Sequence, residues 1–345
     1  MSPKEYTHGE YRAQELYGDF WFNSEPLPLM ALRGGVVLLE FWDHTCCRAL
    51  RSVPYLEAWK QKYRDSGLTI VGVHSPRFTF GRDPRNVGRA IKLLGISYPV
   101  VMDNDQLIWS RYENRTWPTR YLLDRDGFIR YQFAGDTDYA GTEHAIQTLL
   151  CAAGGLTDFP ELTEPFRDLD RPGAVTYRAT PDFHAGYLRG SVGNVEGSVP
   201  ESVTGYEDPL VYFEGRLYLD GAWISGRESL NSVMGGNRQC AVILRYTAAE
   251  ATVVLGLTSG KQKEVEVRQD GSFLTAEQTG DDVIIGTDGR SIVHVDGPRM
   301  YHLVRNRGFG DHVLHLTATG PGLSVFAFGF LSGVIPEFVP SAGHE

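Results

Sequence analysis

A chain of 345 residues is longer than one ordinary hydrophobic core organises, so two domains are expected. With 42% hydrophobic and 22% charged residues it has the make-up of a globular protein, and a net charge of −10 leaves no basic excess to replace the counterions of a nucleic acid. Met1 to Tyr17 lack the apolar core of a signal peptide, no stretch approaches the roughly 20 apolar residues that span a bilayer, and four cysteines make neither a disulfide scaffold nor a zinc-ligand spacing.

Met1 to Leu32 read as a lead-in with some strand character around Phe20-Trp21-Phe22. Gly34-Gly35 releases the chain into Val36 to Trp42, an apolar, β-favouring run interrupted only by Glu40, as expected of a central strand covered on both faces. From Arg48 the apolar residues Leu50, Val53, Leu56 and Trp59 take helical spacing. The helix is expected to run to about Ser66-Gly67, with a kink at Pro54. Leu68 to His74 is a second buried strand. Asn86 is expected to cap a helix through Leu94, and Tyr98 to Asp103 is a third strand. A short helix follows from Gln106 to Tyr112. Thr119 to Leu123 and Phe128 to Phe133 flank Asp124-Arg125-Asp126-Gly127, whose Asp-Gly pair signals a hairpin. A last helix spans Thr142 to about Ala153. This order gives an α/β domain, residues 1–155, with a mixed central sheet flanked by helices.

Residues 156–181 are rich in Pro, Asp and Glu and read as a linker. Beyond them, in 182–345, short strands alternate with Gly, Asn and Asp turns. Expected strands are Leu210–Phe213, Arg216–Leu219, Gln239–Tyr246, Ala251–Leu257, Glu264–Val267, Val283–Ile285, Ser291–Val295, His302–Val304, His312–Ala318 and Leu323–Phe330. That spacing predicts an all-β sandwich, jelly-roll-like in type. Exposed aromatics such as Trp223 or Tyr212 would serve a glycan or a partner protein, with core packing as the alternative for both.

The chemistry is concentrated at Cys46-Cys47, where the first strand hands over to a helix. A cysteine at a helix N-terminus meets unpaired N–H groups that favour the thiolate; the bland alternative is a buried, inert pair. The segment Phe41-Trp42-x-x-x-Cys46, followed by Leu50-Arg51 and Pro54 to Trp59, resembles the thioredoxin-like oxidoreductases of the TlpA and DipZ type. The resemblance continues through Gly72-Val73-His74, Tyr98-Pro99-Val100, Asp103-Asn104-Asp105 and Trp117 to Asp124. Met300 to Val304 and Gly320 to Gly329 resemble the β-sandwich that follows the thioredoxin domain in DipZ-like proteins, similar in architecture to carbohydrate-binding modules.

By that resemblance Cys46 is the attacking cysteine, Pro118 after Trp117 the cis-proline facing it, and Glu40 the buried acid beneath the site. An acid on an apolar strand should have a raised pKa; the alternative is an edge position facing water. The family motif is Cys-x-x-Cys, whereas this chain reads Cys46-Cys47-Arg48-Ala49, so the usual resolving thiol is absent. The resemblance therefore implies a single-nucleophile thiol enzyme acting on a small or protein thiol or disulfide. Cys47 or an external thiol would resolve, and peroxide would be at most a minor substrate. Trp42, Thr45, Arg48 and Trp117 are expected around the sulfur. His44, in a turn, reads foremost as a surface residue that would assist if its ring turned toward the thiol. Cys47 reads equally as packing, and Cys151 and Cys240 as core. The different reading is a redox-inactive thioredoxin-fold binding protein for a glycan, a protein or a soft metal held by Cys46 and Cys47. No cofactor and no resident metal are assigned, and a reducing, cytoplasmic setting is expected.

Overall fold

In the computed structural model, which describes residues 3–233, 239–260 and 262–338, one unit extends to Ala174 and the other covers Val175–Pro336. Residues 1–2 and 339–345, which the expected domain limits include, lie outside the described residues.

The first unit holds strands β1 (Lys4–Glu5), β2 (Trp21–Phe22), β3 (Val36–Trp42), β4 (Leu68–His74), β5 (Val100–Met102), β6 (Thr119–Leu123) and β7 (Ile129–Ala134). Its helices are α1 (Cys47–Leu50), α2 (Val53–Tyr63), α3 (Pro84–Leu93), α4 (Leu107–Arg111) and α5 (Tyr139–Ala153). The sheet order is β1-β7-β6-β3-β4-β5-β2, so β3 is central, parallel to β4 and antiparallel to β6. Every residue of β3 is buried, because each of its faces carries a separate apolar layer. Val36, Leu38 and Trp42 pack with Leu56, Trp59, Ile146 and Leu150 of the helices, while Val37, Leu39 and Phe41 pack with Ile108, Trp109 and Tyr112. Glu40 falls on the first of these faces by the two-residue alternation.

Local sequence explains the boundaries. Pro54 does not sit mid-helix. The backbone stays helical through Arg51 and Ser52, but the hydrogen-bond ladder lapses there, and Pro54 lies in the first turn of a separate α2. Proline has no N–H for the turn below, so its missing bond divides the helix instead of bending a continuous one. A short 3₁₀ turn then ends at Gly67, whose φ of +96° is a left-handed stop. The cap of α3 is Asp83, whose side chain accepts from the Arg85 N–H, with Pro84 in the first turn. Asn86, the expected cap, instead donates to the Phe80 carbonyl. The β6–β7 hairpin turns at Gly127 (φ +82°), with Asp124 accepting from the N–H groups of Asp126 and Phe128. Part of the Pro- and acid-rich segment after α5 belongs to this unit: Glu143 accepts from the Thr163 N–H, and Asp170 pairs with Arg51.

The second unit is all β: β8 (Phe183–His184), β9 (Val203–Tyr206), β10 (Leu217–Ser225), β11 (Leu230–Ser232), β12 (Gln239–Leu257), β13 (Lys263–Gln269), β14 (Ser272–Phe273), β15 (Val283–Ile285), β16 (Ser291–Val295), β17 (Arg299–Thr319) and β18 (Leu323–Leu331). Two expected strand pairs are single long strands. Gln239–Tyr246 and Ala251–Leu257 join in the 19-residue β12, and His302–Val304 and His312–Ala318 join in the 21-residue β17. Thr247 to Glu250 contain no Gly or Pro to turn the chain, so β12 shifts register by bulging and pairs β10 first and β18 later. Leu210–Phe213, expected as a strand, has no regular structure. Trp223 is fully buried in the apolar core with Tyr246, Tyr301 and Phe328, which removes it as a glycan platform; Tyr212 is half-buried.

Candidate active site at the ends of the central strands

Strands β3 and β4 run parallel and end in register at Trp42 and His74. The loop Asp43–Cys46 leaves β3 across that end, and Cys46 forms the N-cap of α1 with its carbonyl accepting from Leu50 N–H. The Cys46 thiol donates to the carbonyl oxygen of Trp117 at 3.7 Å. The Trp117–Pro118 peptide is cis. Trp117 is anchored on its other side: its ring N–H donates to the Ser75 carbonyl, and the indole stacks on Trp109. Cys46 is 3% and Cys47 4% exposed, and the four cysteines form no disulfide. Arg48 is half-buried on the single turn of α1. Cys240 is buried, and burial raises its thiol pKa; Cys151 is half-exposed on α5 instead of lying in the core.

Glu40 is fully enclosed beneath this junction, and burial pushes its pKa up to about 7, against the opposing charge of Arg120 and the Ser52 hydrogen bond. Its Oε1 meets the Ser52 hydroxyl, which also lies 2.7 Å from the Ala49 carbonyl. One hydroxyl proton cannot serve both acceptors. A protonated Glu40 donating to Ser52, which then donates to Ala49, satisfies the chain; an ionised Glu40 leaves one contact without a proton. Glu40 Oε2 has no partner among the described residues. The acid therefore reaches the active-site turn through Ser52 and the backbone of Ala49.

Arg120 is the buried cation opposite Glu40 in the β3–β6 register. Its Nη2 donates to the carbonyls of Gly135 and Thr137, and its guanidinium lies 4.8 Å from the Tyr139 ring centre. Arg120 and Ser52 escaped the sequence reading. The signal for Arg120 was present: like Glu40, it is a single charge interrupting an otherwise apolar strand.

The loop itself holds a second missed cluster. His44 is not on the surface: it is 2% exposed, and its Nδ1 lies 2.8 Å from Nε2 of His74, committed to that ring by a stacked pair of imidazoles. Asp43 Oδ2 lies 3.5 Å from the same His74 nitrogen. Asp43 Oδ1 accepts from the N–H and hydroxyl of Thr45, and Oδ2 from Arg77 N–H. Burial opposes the Asp43 charge, but His44, His74, Arg77 and Thr45 outweigh it and hold the carboxyl below its ordinary range. Burial drives both imidazoles the other way, His74 down to about 3. Trp42 packs its ring edge-on to His74.

A thiol at a strand-to-helix turn, set against the backbone of a cis-proline loop, is the arrangement of a thioredoxin-like protein. The comparisons agree. Residues 23–150 match the Redoxin family and residues 180–330 the family described as thioredoxin like C-terminal domain, so the chain is a thioredoxin-like protein carrying both domains. It is similar to Protein DipZ of Mycobacterium bovis and of Mycobacterium tuberculosis, 35% identical over 246 residues in each case. That match covers 69% of this chain and 34% of DipZ, so the chain spans about a third of the length of those relatives. The thiol-disulfide oxidoreductase YkuV of Bacillus subtilis is 27% identical over 137 residues, covering 39% of this chain and 92% of YkuV. A solved thiol-disulfide isomerase from Corynebacterium glutamicum is 26% identical with a TM-score of 0.36, over 40% of this chain and 96% of its own. No helix among the described residues is long and apolar enough to cross a membrane.

Proposed function

We propose that this chain is a thiol-disulfide oxidoreductase in which Cys46 is the attacking sulfur. The observation that carries the reading is the Cys46 thiol at the β3–α1 turn, held against the Trp117 carbonyl in a thioredoxin-like domain. YkuV, named for this activity, is similar to 39% of the chain. In the proposed cycle the Cys46 thiolate attacks one sulfur of a disulfide, forming a mixed disulfide and releasing the other sulfur as a thiolate that takes up a proton. A second thiol, as thiolate, then attacks Cys46 Sγ, forming a disulfide with it and breaking the mixed disulfide, so the substrate's remaining sulfur leaves as a thiolate and takes up a proton; two electrons have passed to the substrate. Ala49 cannot supply that thiol. It comes from Cys47, adjacent in sequence, or from a small external thiol. Glu40, with a pKa near 7, is the acid able to take or give a proton under the site at neutral pH. Thr45, Arg48 and Trp42 border the same turn, and Pro118 closes it from the β6 side.

One observation favours a second reading, a redox-inactive thioredoxin-fold binding protein: Cys46 and Cys47 are almost wholly shielded. Any glycan or protein partner of the C-terminal unit would meet the exposed loop of Leu210, Val211 and Phe213 in place of the buried Trp223. A reducing compartment such as the cytoplasm suits four cysteines that form no disulfide. The test is mass analysis of the folded chain after incubation with glutathione disulfide. A glutathione adduct on Cys46, or a Cys46–Cys47 disulfide, that disappears in Cys46→Ser supports the enzyme. Modification only after denaturation supports the binding protein.

A further inference from the structure

Asp43, His44 and His74 present three donor atoms to one another at the carboxyl ends of two adjacent parallel strands. Every ligand atom of the set lies within 4.8 Å of the others. His44 Nδ1 and His74 Nε2 are 2.8 Å apart, and His74 Nε2 and Asp43 Oδ2 are 3.5 Å apart. In a tetrahedral zinc site with bonds of about 2.0–2.1 Å, neighbouring donors are separated by about 3.3 Å. The observed spacings bracket that figure. We propose that Asp43 Oδ2, His44 Nδ1 and His74 Nε2 bind one divalent transition-metal ion of the zinc type, with a fourth position left to water.

Hydrogen bonding alone does not account for the cluster. His74 Nε2 faces both His44 Nδ1 and Asp43 Oδ2, and a single proton on it serves one of them. The remaining ring nitrogens, His44 Nε2 and His74 Nδ1, are buried with no hydrogen-bond partner among the described residues. With an ion on Nδ1 of His44 and Nε2 of His74 these two nitrogens carry the ring protons, so what the ion changes is the shared position alone. A cation replaces the shared proton and engages all three donors together. Close by, Arg77 turns Nη1 to the Thr45 carbonyl and donates its backbone N–H to Asp43 Oδ2. Two imidazoles and a carboxylate are a borderline-soft set matched to zinc, not to calcium or magnesium. Cys46 lies outside the mutually close set, so this site is separate from the sulfur chemistry.

The donors are sealed from solvent, so the ion is loaded by long equilibration or during refolding. The experiment uses the full chain without a histidine tag, stripped with chelator, dialysed to equilibrium against Zn2+ and analysed for metal content. The expected result is one Zn2+ per chain and a raised melting temperature. Affinity should fall by more than about 100-fold in His74→Gln and in Asp43→Asn, beyond what outer-shell changes cause, and should be unchanged in Cys46→Ser. Because buried variants can fail to fold, the wild-type chain is also loaded with Co2+: a four-coordinate visible spectrum without thiolate charge transfer is expected. No stoichiometric binding, a six-coordinate or thiolate-type cobalt spectrum, binding retained in folded His74→Gln, or binding lost in Cys46→Ser would each overturn the proposal.

Discussion

Glu40→Gln isolates the energetic consequence of enclosing a carboxyl under the active-site turn. Glutamine keeps the shape and cannot ionise. In the wild-type chain Glu40 rises from an ordinary 4.5 to about 7 through burial. Between those values the folded state holds a proton that the unfolded chain has released, so stability is fully present below about pH 4.5 and is lost as pH rises through 7. At about 1.4 kcal/mol per pKa unit the loss amounts to about 3 kcal/mol above pH 8. Glu40→Gln should therefore unfold at nearly the same urea concentration as wild type at pH 5 and at a clearly higher one at pH 8. The stability gap should open by about 2–3 kcal/mol across that range. The assay is equilibrium urea unfolding of both chains at half-unit steps of pH. A gap that stays constant from pH 5 to pH 8 would refute the raised pKa. A Glu40→Gln chain less stable than wild type by the same amount from pH 5 to pH 8 would mean that Arg120 holds Glu40 ionised, with the pair acting as a buried ion pair.

Three further outcomes follow from the same reasoning. Arg51 lies buried between Asp136 and Asp170, so Arg51→Ala strands two carboxylates and should cost about 3–5 kcal/mol by urea unfolding of the chain. Trp223→Ala removes a fully buried indole whose N–H donates to the Asp220 carbonyl, and should cost about 3–5 kcal/mol; a loss below about 1 kcal/mol would show that the side chain is not in the core. Gly72→Ala sets a methyl 2.9 Å from the Trp42 ring nitrogen and in contact with Tyr98, so calorimetry should find about 1–3 kcal/mol lost to overpacking.

The linear sequence determined a good deal. The apolar run Val36 to Trp42, interrupted only by Glu40, pointed to a strand covered on both sides; that Glu40 is enclosed and does not stand at an edge facing water follows from the central place of β3 in the sheet. Pro and Gly marked most element ends, since their backbone limits act locally and independently of the rest of the fold. They failed where nothing local decides. Thr247 to Glu250 lack a breaker, and Gly308 and Gly310 of β17 look like a turn, yet both stretches are held extended by neighbouring strands. Leu210–Phe213 has the composition of a strand but pairs with no strand among the described residues.

Only the tertiary structure brought together residues distant in the chain. Ser52 reaches Glu40 because α1 and α2 lie over β3, and Arg120 faces it because β6 pairs antiparallel at that register. His44 left the surface for the same kind of reason. Its position in a turn said exposed, but that turn folds over the end of β4, where His74 waits 30 residues further on. Sequence picks out the candidate thiol, since a cysteine at a strand-to-helix junction is a local feature. What surrounds that thiol was decided by strand order and register, which no local interaction specifies.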